Sequence, residues 1–187
     1  MLATFTLKAF NSFREARLPL GPLTVLIGAN AAGKSNAIEA LRLLSWLAQG
    51  QKLSSIQYAV NSADRVVRGR VDDLCHRGQS QFGLGCITDD LHWNRLNMQI
   101  SIRESELHIS AERIDEVSAT VPLYDMDQPS KGLSTDSGVA YNNFARGGNK
   151  PHVTVSDQMA VFVQFESAVR FEAGHKKAQE AIPEVAR

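Results

Sequence analysis

Residues 28–35 read Gly28-Ala29-Asn30-Ala31-Ala32-Gly33-Lys34-Ser35: a glycine, four residues, then Gly-Lys-Ser. That spacing is the phosphate-binding loop, and each part has a physical task. Gly28 and Gly33 let the backbone approach and turn around anionic oxygens. The N–H groups at the start of a following helix, at its positive dipole end, attract phosphate. Lys34 places a point charge on the β and γ phosphates of a nucleoside triphosphate, and Ser35 offers a hydroxyl to Mg²⁺. Ala31 and Ala32 stand where Gly and Ser are frequent, so this loop has fewer glycines than most.

Such a loop must be held between a strand and a helix. Upstream, Leu23-Thr24-Val25-Leu26-Ile27 is short, apolar and rich in β-branched residues, which predicts a buried strand. Downstream, Ala37, Ile38, Ala40, Leu41, Leu44 and Leu47 form an apolar stripe at helical spacing, closed by Gly50.

The 187-residue chain suits one domain with a buried core. Basic and acidic side chains balance at 20 each, but unevenly: residues 1–77 carry 10 basic and 5 acidic groups, residues 78–187 carry 10 and 15. A basic first part suits phosphate ligands and equally suits an ordinary solvated surface. Cys75 and Cys86 make no disulfide framework, and Cys75-His76 with Cys86 and His92 fits no common zinc spacing. Lys8, Arg14, Glu15 and Arg17 break any secretory h-region, and no apolar run reaches membrane-spanning length. The chain therefore reads as cytoplasmic, with no membrane partner.

Alternation over residues 5–10 predicts a half-buried strand, followed by a turn over 11–17 with Phe13 embedded, and residues 18–21 lead into the loop strand. Residues 53–70 are ambiguous, with Arg65, Arg68 and Arg70 close together. Residues 81–88, 96–103 and 106–114 predict an antiparallel meander, the last two joined by a tight Glu104-Ser105 link. Residues 119–151 gather Pro122, Pro129, Gly132, Gly138, Gly147, Gly148 and Pro151, and predict a long loop or insertion. From Ser156 the pattern turns helical, with Ser156 as a cap and Met159, Phe162, Val163 and Val169 on a buried face; Gly174 interrupts it and Pro183 bends or ends it. The expected division is an ATPase lobe over 1–118, an insertion over 119–151, and a helical segment over 152–187 leading to a lobe beyond this chain.

A complete P-loop ATPase also needs an acid near Mg²⁺, usually an Asp ending an apolar strand, and a group that positions the attacking water. Ile87-Thr88-Asp89-Asp90 follows Gly-rich sequence, Ile114-Asp115-Glu116 has one apolar residue before it, and 159–166 reads as helix. None carries the pattern. Leu133-Ser134-Thr135-Asp136-Ser137-Gly138 misplaces the glycine of an LSGGQ-like signature.

With these motifs in view, residues 1 to about 50 resemble the N-terminal lobe of the ABC/SMC/RecF-like ATPases, and more narrowly the AAA family ATPases related to RecF and the OLD nucleases. The likeness rests on the segment LTVLIGANAAGKSNAIEALRLL with FNSFREARLPLGP before it, on Asn30 and Asn36, and on Glu39-Ala40-Leu41; Arg77-Gly78 before a strand extends it. The resemblance implies an α/β P-loop NTPase with a mixed sheet and an antiparallel meander. It implies ATP and Mg²⁺ as cofactors, pairing of two heads in a homodimer or larger assembly, and settings in DNA transactions or anti-phage defence with an effector protein. By the same resemblance the turn at Asn11, Ser12, Phe13 and Arg14 approaches the nucleotide, and Gln158 senses Mg²⁺. The loop strand would lie beside strands from a further lobe, so that alone it would leave an exposed apolar edge.

Two readings share this loop: an ATP-hydrolysing head, and a non-hydrolysing module in which ATP orders the lobe so that it docks a nuclease or toxin partner. A GTPase would need an [NT]-K-x-D motif, which the sequence lacks, and a nucleoside kinase an arginine-rich lid after the loop.

Overall fold

The computed structural model describes residues 1–56, 66–116, 118–144 and 149–167. Expectations resting on Arg65, Gly147, Gly148, Val169, Gly174 and Pro183 lie outside these residues. Eight strands form one sheet: β1 (Leu2–Phe10), β2 (Phe13–Pro19), β3 (Gln81–Thr88), β4 (Arg95–Arg103), β5 (Glu106–Asp115), β6 (Tyr124–Gln128), β7 (Asp136–Tyr141) and β8 (His152–Ser156). Their spatial order is β2-β1-β3-β4-β5-β6-β7-β8, and every described pairing is antiparallel. The expected mixed sheet is thus replaced by an antiparallel one. Among the described residues two α-helices accompany it, α1 (Lys34–Ala48) and α2 (Val161–Ser167), with short 3₁₀ turns at Leu53–Ser55 and Val71–Leu74. No described helix is long and apolar enough to cross a membrane.

The meander stands where alternation placed it, and Glu104 and Ser105 both take positive φ (50° and 62°), the geometry of a two-residue hairpin turn. The first hairpin is tighter than expected. Only Asn11 and Ser12 turn, because Asn11 accepts φ 48° and Phe13 pairs directly with Phe10, so β2 occupies most of the predicted turn. Ala9, at φ 51°, breaks the alternation of β1 and brings Phe10 to the same buried face as Phe5 and Leu7. Phe10 then meets Phe82 edge to face at 5.1 Å.

Helix α1 packs on this face. Ala40, Leu43, Leu44 and Leu47 are buried in one core with Phe5, Leu7, Leu84 and Met98, and Ala37 is buried at the start of the same helix. The predicted stripe is nearly the observed one, except that Ile38 is exposed and Leu43 is buried.

Two larger expectations fail. Residues 23–27 join no strand of the described sheet: Leu23 lies in a bend, 24–27 take no regular structure, and Leu23 and Ile27 are 85% and 91% exposed. A run that is apolar on both faces is stable as a strand only with neighbours at its edges and cover on its faces, and the described sheet offers neither. Residues 119–151 are not a loop, because β6 and β7 lie within them. Tyr124, Met126, Val139 and Tyr141 alternate into the core from among the glycines and prolines, and β8 follows directly.

The segment after β8 is fixed by two buried acids. Asp157, fully buried, accepts from Arg103 Nη2 (2.7 Å), from the Ser130 hydroxyl, and pairs with His108 Nδ1 (2.9 Å). Glu112, also fully buried, accepts from the Tyr124 hydroxyl (2.6 Å) and the backbone N–H groups of Val161 (2.9 Å) and Phe162 (3.3 Å). Glu112 on β5 thus caps α2, the role expected of Ser156, whose hydroxyl instead accepts from the Gln158 N–H. Burial pushes the Glu112 carboxyl up to about 7, with the hydrogen bonds from Tyr124, Val161 and Phe162 opposing that shift.

Candidate nucleotide-binding site

The loop 28–33 reaches α1 through two left-handed residues, Ala31 (φ 65°) and Gly33 (φ 86°), with a tight turn closed by Ala32 N–H on Ala29 O (3.3 Å). At Gly33 the conformation demands glycine twice over. Its φ is unfavourable for other residues, and a Cβ there would lie 3.0 Å from both Phe13 Cζ and Ser12 Oγ. The turn of the first hairpin therefore backs directly onto the loop. Asn36 Nδ2 donates to Ser12 Oγ (2.8 Å), joining hairpin to helix. The hairpin turn is itself strapped to the end of the second 3₁₀ turn and the residues after it, by Asn11 N–H on Leu74 O (2.7 Å) and His76 Nδ1 against Asn11 O (2.9 Å).

No side chain caps the N-terminus of α1, and no acidic residue stands in its first turn. Its first N–H groups and its dipole face the loop uncompensated. Lys34 folds back over the loop and donates through Nζ to Gly28 O (2.6 Å) and Ala29 O (2.7 Å). The ammonium is thus held by neutral carbonyls, with no carboxylate paired to it among the described residues, and an anion reaching the loop meets its positive charge. Ser35 is exposed one residue further on. Glycine cradle, uncapped helix start, unneutralised lysine and exposed hydroxyl together suit a triphosphate with Mg²⁺.

Gly28, Ala29, Asn30, Ala31, Ala32, Gly33, Lys34, Ser35 and Asn36 form one continuous site, with Ser12 against it and Phe13 beneath Gly33. Arg14 is exposed at the start of β2. Gln158 is not brought here. Its side chain accepts from the Ser54 N–H (3.0 Å) and donates to Leu107 O (3.1 Å). Ser54 lies past the far end of α1, whose 15 residues span about 22 Å, so Gln158 and Ser35 are at opposite ends of the helix.

Sequence reasoning missed a pairing beside the loop. Glu39, 4% exposed, accepts from the Arg68 backbone N–H (2.7 Å) and from Arg68 Nε (3.0 Å), while Arg68 Nη2 donates to Asn36 Oδ1 (2.9 Å). The signals were there: Ser35 and Glu39 are spaced i,i+4 on one helix face, and Arg68 sits in the basic cluster. These residues line a polar cleft of about 250 Å³ with Ser35, Ile38, Arg42 and Val66. A larger, mostly apolar cavity of about 360 Å³ lies towards the other end of α1, between Leu44, Ser45 and Ala48 and the strand residues Cys86 and Leu96.

The weighed acids are engaged elsewhere. Asp115 is held by Arg95 (2.6 Å) and Arg113 (2.8 Å), Asp89 by the N-terminal ammonium, and Glu116 accepts from the Trp93 N–H (3.0 Å). Gly138 lies within β7 rather than in a signature loop. Among the described residues no group of three His, Cys, Asp or Glu side chains is placed to hold a metal ion by itself.

Residues 23–93 match the family model described as "AAA domain, putative AbiEii toxin, Type IV TA system". The match begins at the unpaired apolar run, includes the loop and α1, and ends beyond β3, so it covers residues 28–36, while Ser12 and Phe13 lie before it. It supports an AAA, P-loop ATPase-like domain with nucleotide binding. No curated protein matches the chain.

Proposed function

We propose that this chain binds ATP with Mg²⁺ through residues 28–36. The observation that carries the reading is Lys34, an ammonium held, among the described residues, by the carbonyls of its own loop alone, at the uncapped start of α1. Gly28 to Gly33 would wrap the phosphates, Lys34 would pair with the β and γ oxygens, and the Ser35 hydroxyl would be a ligand of Mg²⁺. The metal, when bound, supplies positive charge to the phosphate oxygens. The chain's own residues bind and orient. Asn36 and Ser12 hold the hairpin turn against the loop, and Phe13 fixes Gly33 in its left-handed conformation. By the resemblance, Ser12 and Arg14 would approach the nucleotide from the hairpin.

The exposed run 23–27 supports an assembly. Residues so apolar and so uncovered call for a partner that pairs with the run and buries it. We place the chain in an ATPase of the ABC/SMC/RecF-like type, working as a homodimer or larger assembly in DNA transactions or defence. The toxin–antitoxin context of the matched family favours defence.

A second reading has its own support. Glu39 is the acid nearest Ser35 on α1, and both its oxygens are occupied by Arg68. With no other described acid at the loop, this chain alone is a nucleotide-responsive docking module for an effector protein. Turnover separates the two. Phosphate release by the pure chain at a rate well above background supports the hydrolysing head, and ATP binding without release supports the docking module. Absence of any binding to a fluorescent ATP analogue defeats both.

A further inference from the structure

We infer that Arg68 is a ligand of the terminal phosphate of the bound nucleotide, held in place by Glu39, so that this site distinguishes a triphosphate from a diphosphate. The inference rests on the reading of residues 28–36 as an ATP site and adds a residue from outside the loop.

Three observations converge. First, Glu39 is a nearly fully buried carboxylate, and such a group is retained only with its charge and lone pairs satisfied. Arg68 satisfies it twice, through its backbone N–H and through its guanidinium. The backbone contact fixes the main chain at Arg68 against α1, so Arg68 is anchored rather than free to drift. Second, the anchored guanidinium is only partly used. Nε and Nη2 serve Glu39 and Asn36, none of the described residues accepts from Nη1, and the side chain is 57% exposed. An arginine whose fork is oriented by a carboxylate and whose remaining donors face solvent is prepared for an anion. Third, the direction is right. Arg68 bonds to Asn36, the residue after Ser35, and shares with Ser35 a cleft of about 250 Å³. Ser35, whose hydroxyl would hold Mg²⁺, lines that cleft directly after Lys34, so an anion in it would be the end of the phosphate chain rather than its start.

Glu39 is therefore a positioning residue and not a base, since both its oxygens are committed. Asn36 couples the arrangement to the hairpin, bonding Arg68 through Oδ1 and Ser12 through Nδ2. Arg42 lines the same cleft and adds positive charge.

The test is calorimetric titration of Mg-ATP and Mg-ADP into the full 187-residue chain, the Arg68→Ala and Arg68→Lys variants, and the Glu39→Gln variant, with the melting temperature of each measured without nucleotide. The wild type is expected to prefer ATP. Arg68→Ala should weaken ATP about tenfold or more, the size of one charge-assisted hydrogen bond, while ADP affinity stays within about threefold. Arg68→Lys should recover part of the preference through its point charge. Glu39→Gln should lower the preference in the same direction by less, because Gln still accepts from the Arg68 N–H. Equal weakening of ATP and ADP alongside a fallen melting temperature would mean that Arg68 only braces the fold, and overturns the inference. So would a wild type indifferent to the third phosphate. A wild type that binds neither nucleotide defeats the reading of the loop itself, an outcome distinct from both.

Discussion

Burial of Glu112 makes the stability of this fold depend on pH in the opposite sense to most carboxylates. In the native state the carboxyl sits at about 7, against an ordinary 4.5, chiefly because burial disfavours its charge. Below pH 4.5 it is protonated whether the chain is folded or not. Between 4.5 and about 7 the native state holds a proton that the unfolded chain has released, so folding becomes less favourable as pH rises through that window. At about 1.4 kcal/mol per pH unit, the full loss is about 3 kcal/mol, a large part of the stability of a domain this size. The Glu112→Gln variant removes the titration while keeping an oxygen for the N–H of Val161 and an amide for Tyr124. Urea unfolding followed by tryptophan fluorescence at pH 5 and pH 8, in wild type and variant, isolates the effect, because other titrating groups cancel in the difference. The variant should match the wild type within about 1 kcal/mol at pH 5 and exceed it by about 2–3 kcal/mol at pH 8. A difference that stays constant with pH, or a wild type that gains relative to the variant as pH rises, would refute the reasoning.

Three further outcomes are expected. Gly33→Ala should lose about 1–2 kcal/mol of stability, since it combines φ 86° with contacts of 3.0 Å to Phe13 and Ser12, and should weaken nucleotide binding as well; urea titration and calorimetry check this. Asp157→Ala should destabilise by about 3 kcal/mol in urea, because Arg103 and His108 lose a shared buried acceptor; a loss below about 1 kcal/mol would show that the cluster ties little together. Burial pushes the thiols of Cys75 and Cys86 up to about 11, so a thiol reagent near neutral pH should modify them slowly in the native protein and rapidly in denaturant.

What could be read in advance follows from how local each signal is. The loop and α1 were legible because Gly33, Lys34 and Ser35 and the stripe from Ala37 to Leu47 act within one loop-to-helix unit. The meander was legible because Leu96, Met98 and Ile100 alternate, and Glu104-Ser105 can only be a tight turn. The state of Leu23 to Ile27 was not legible. Composition says that a segment prefers burial, whereas burial itself depends on which strands come to lie beside it. Residues 124–141 were misread for the reverse reason: Pro122, Pro129, Gly132 and Gly138 signal turns, but Tyr124, Met126, Val139 and Tyr141 between them bury enough apolar surface to hold two short strands. Glu112 capping α2 and Glu39 seating Arg68 span 49 and 29 positions in the chain. No periodicity reports on contacts at that range. Gln158, assigned by resemblance, is committed to Ser54 and Leu107 instead.

The central claim is that a triphosphate is gripped by the main chain of residues 28–33 and by the Lys34 ammonium. Its most direct test is calorimetric titration of ATP with Mg²⁺ into the wild-type chain and into Lys34→Ala. Among the described residues the Lys34 ammonium bonds only Gly28 O and Ala29 O, both on an exposed loop, so its loss should leave the melting temperature nearly unchanged. The account predicts saturable heat for the wild type and none for the variant. Equal ATP affinity in the two proteins, or no heat from either, would contradict it.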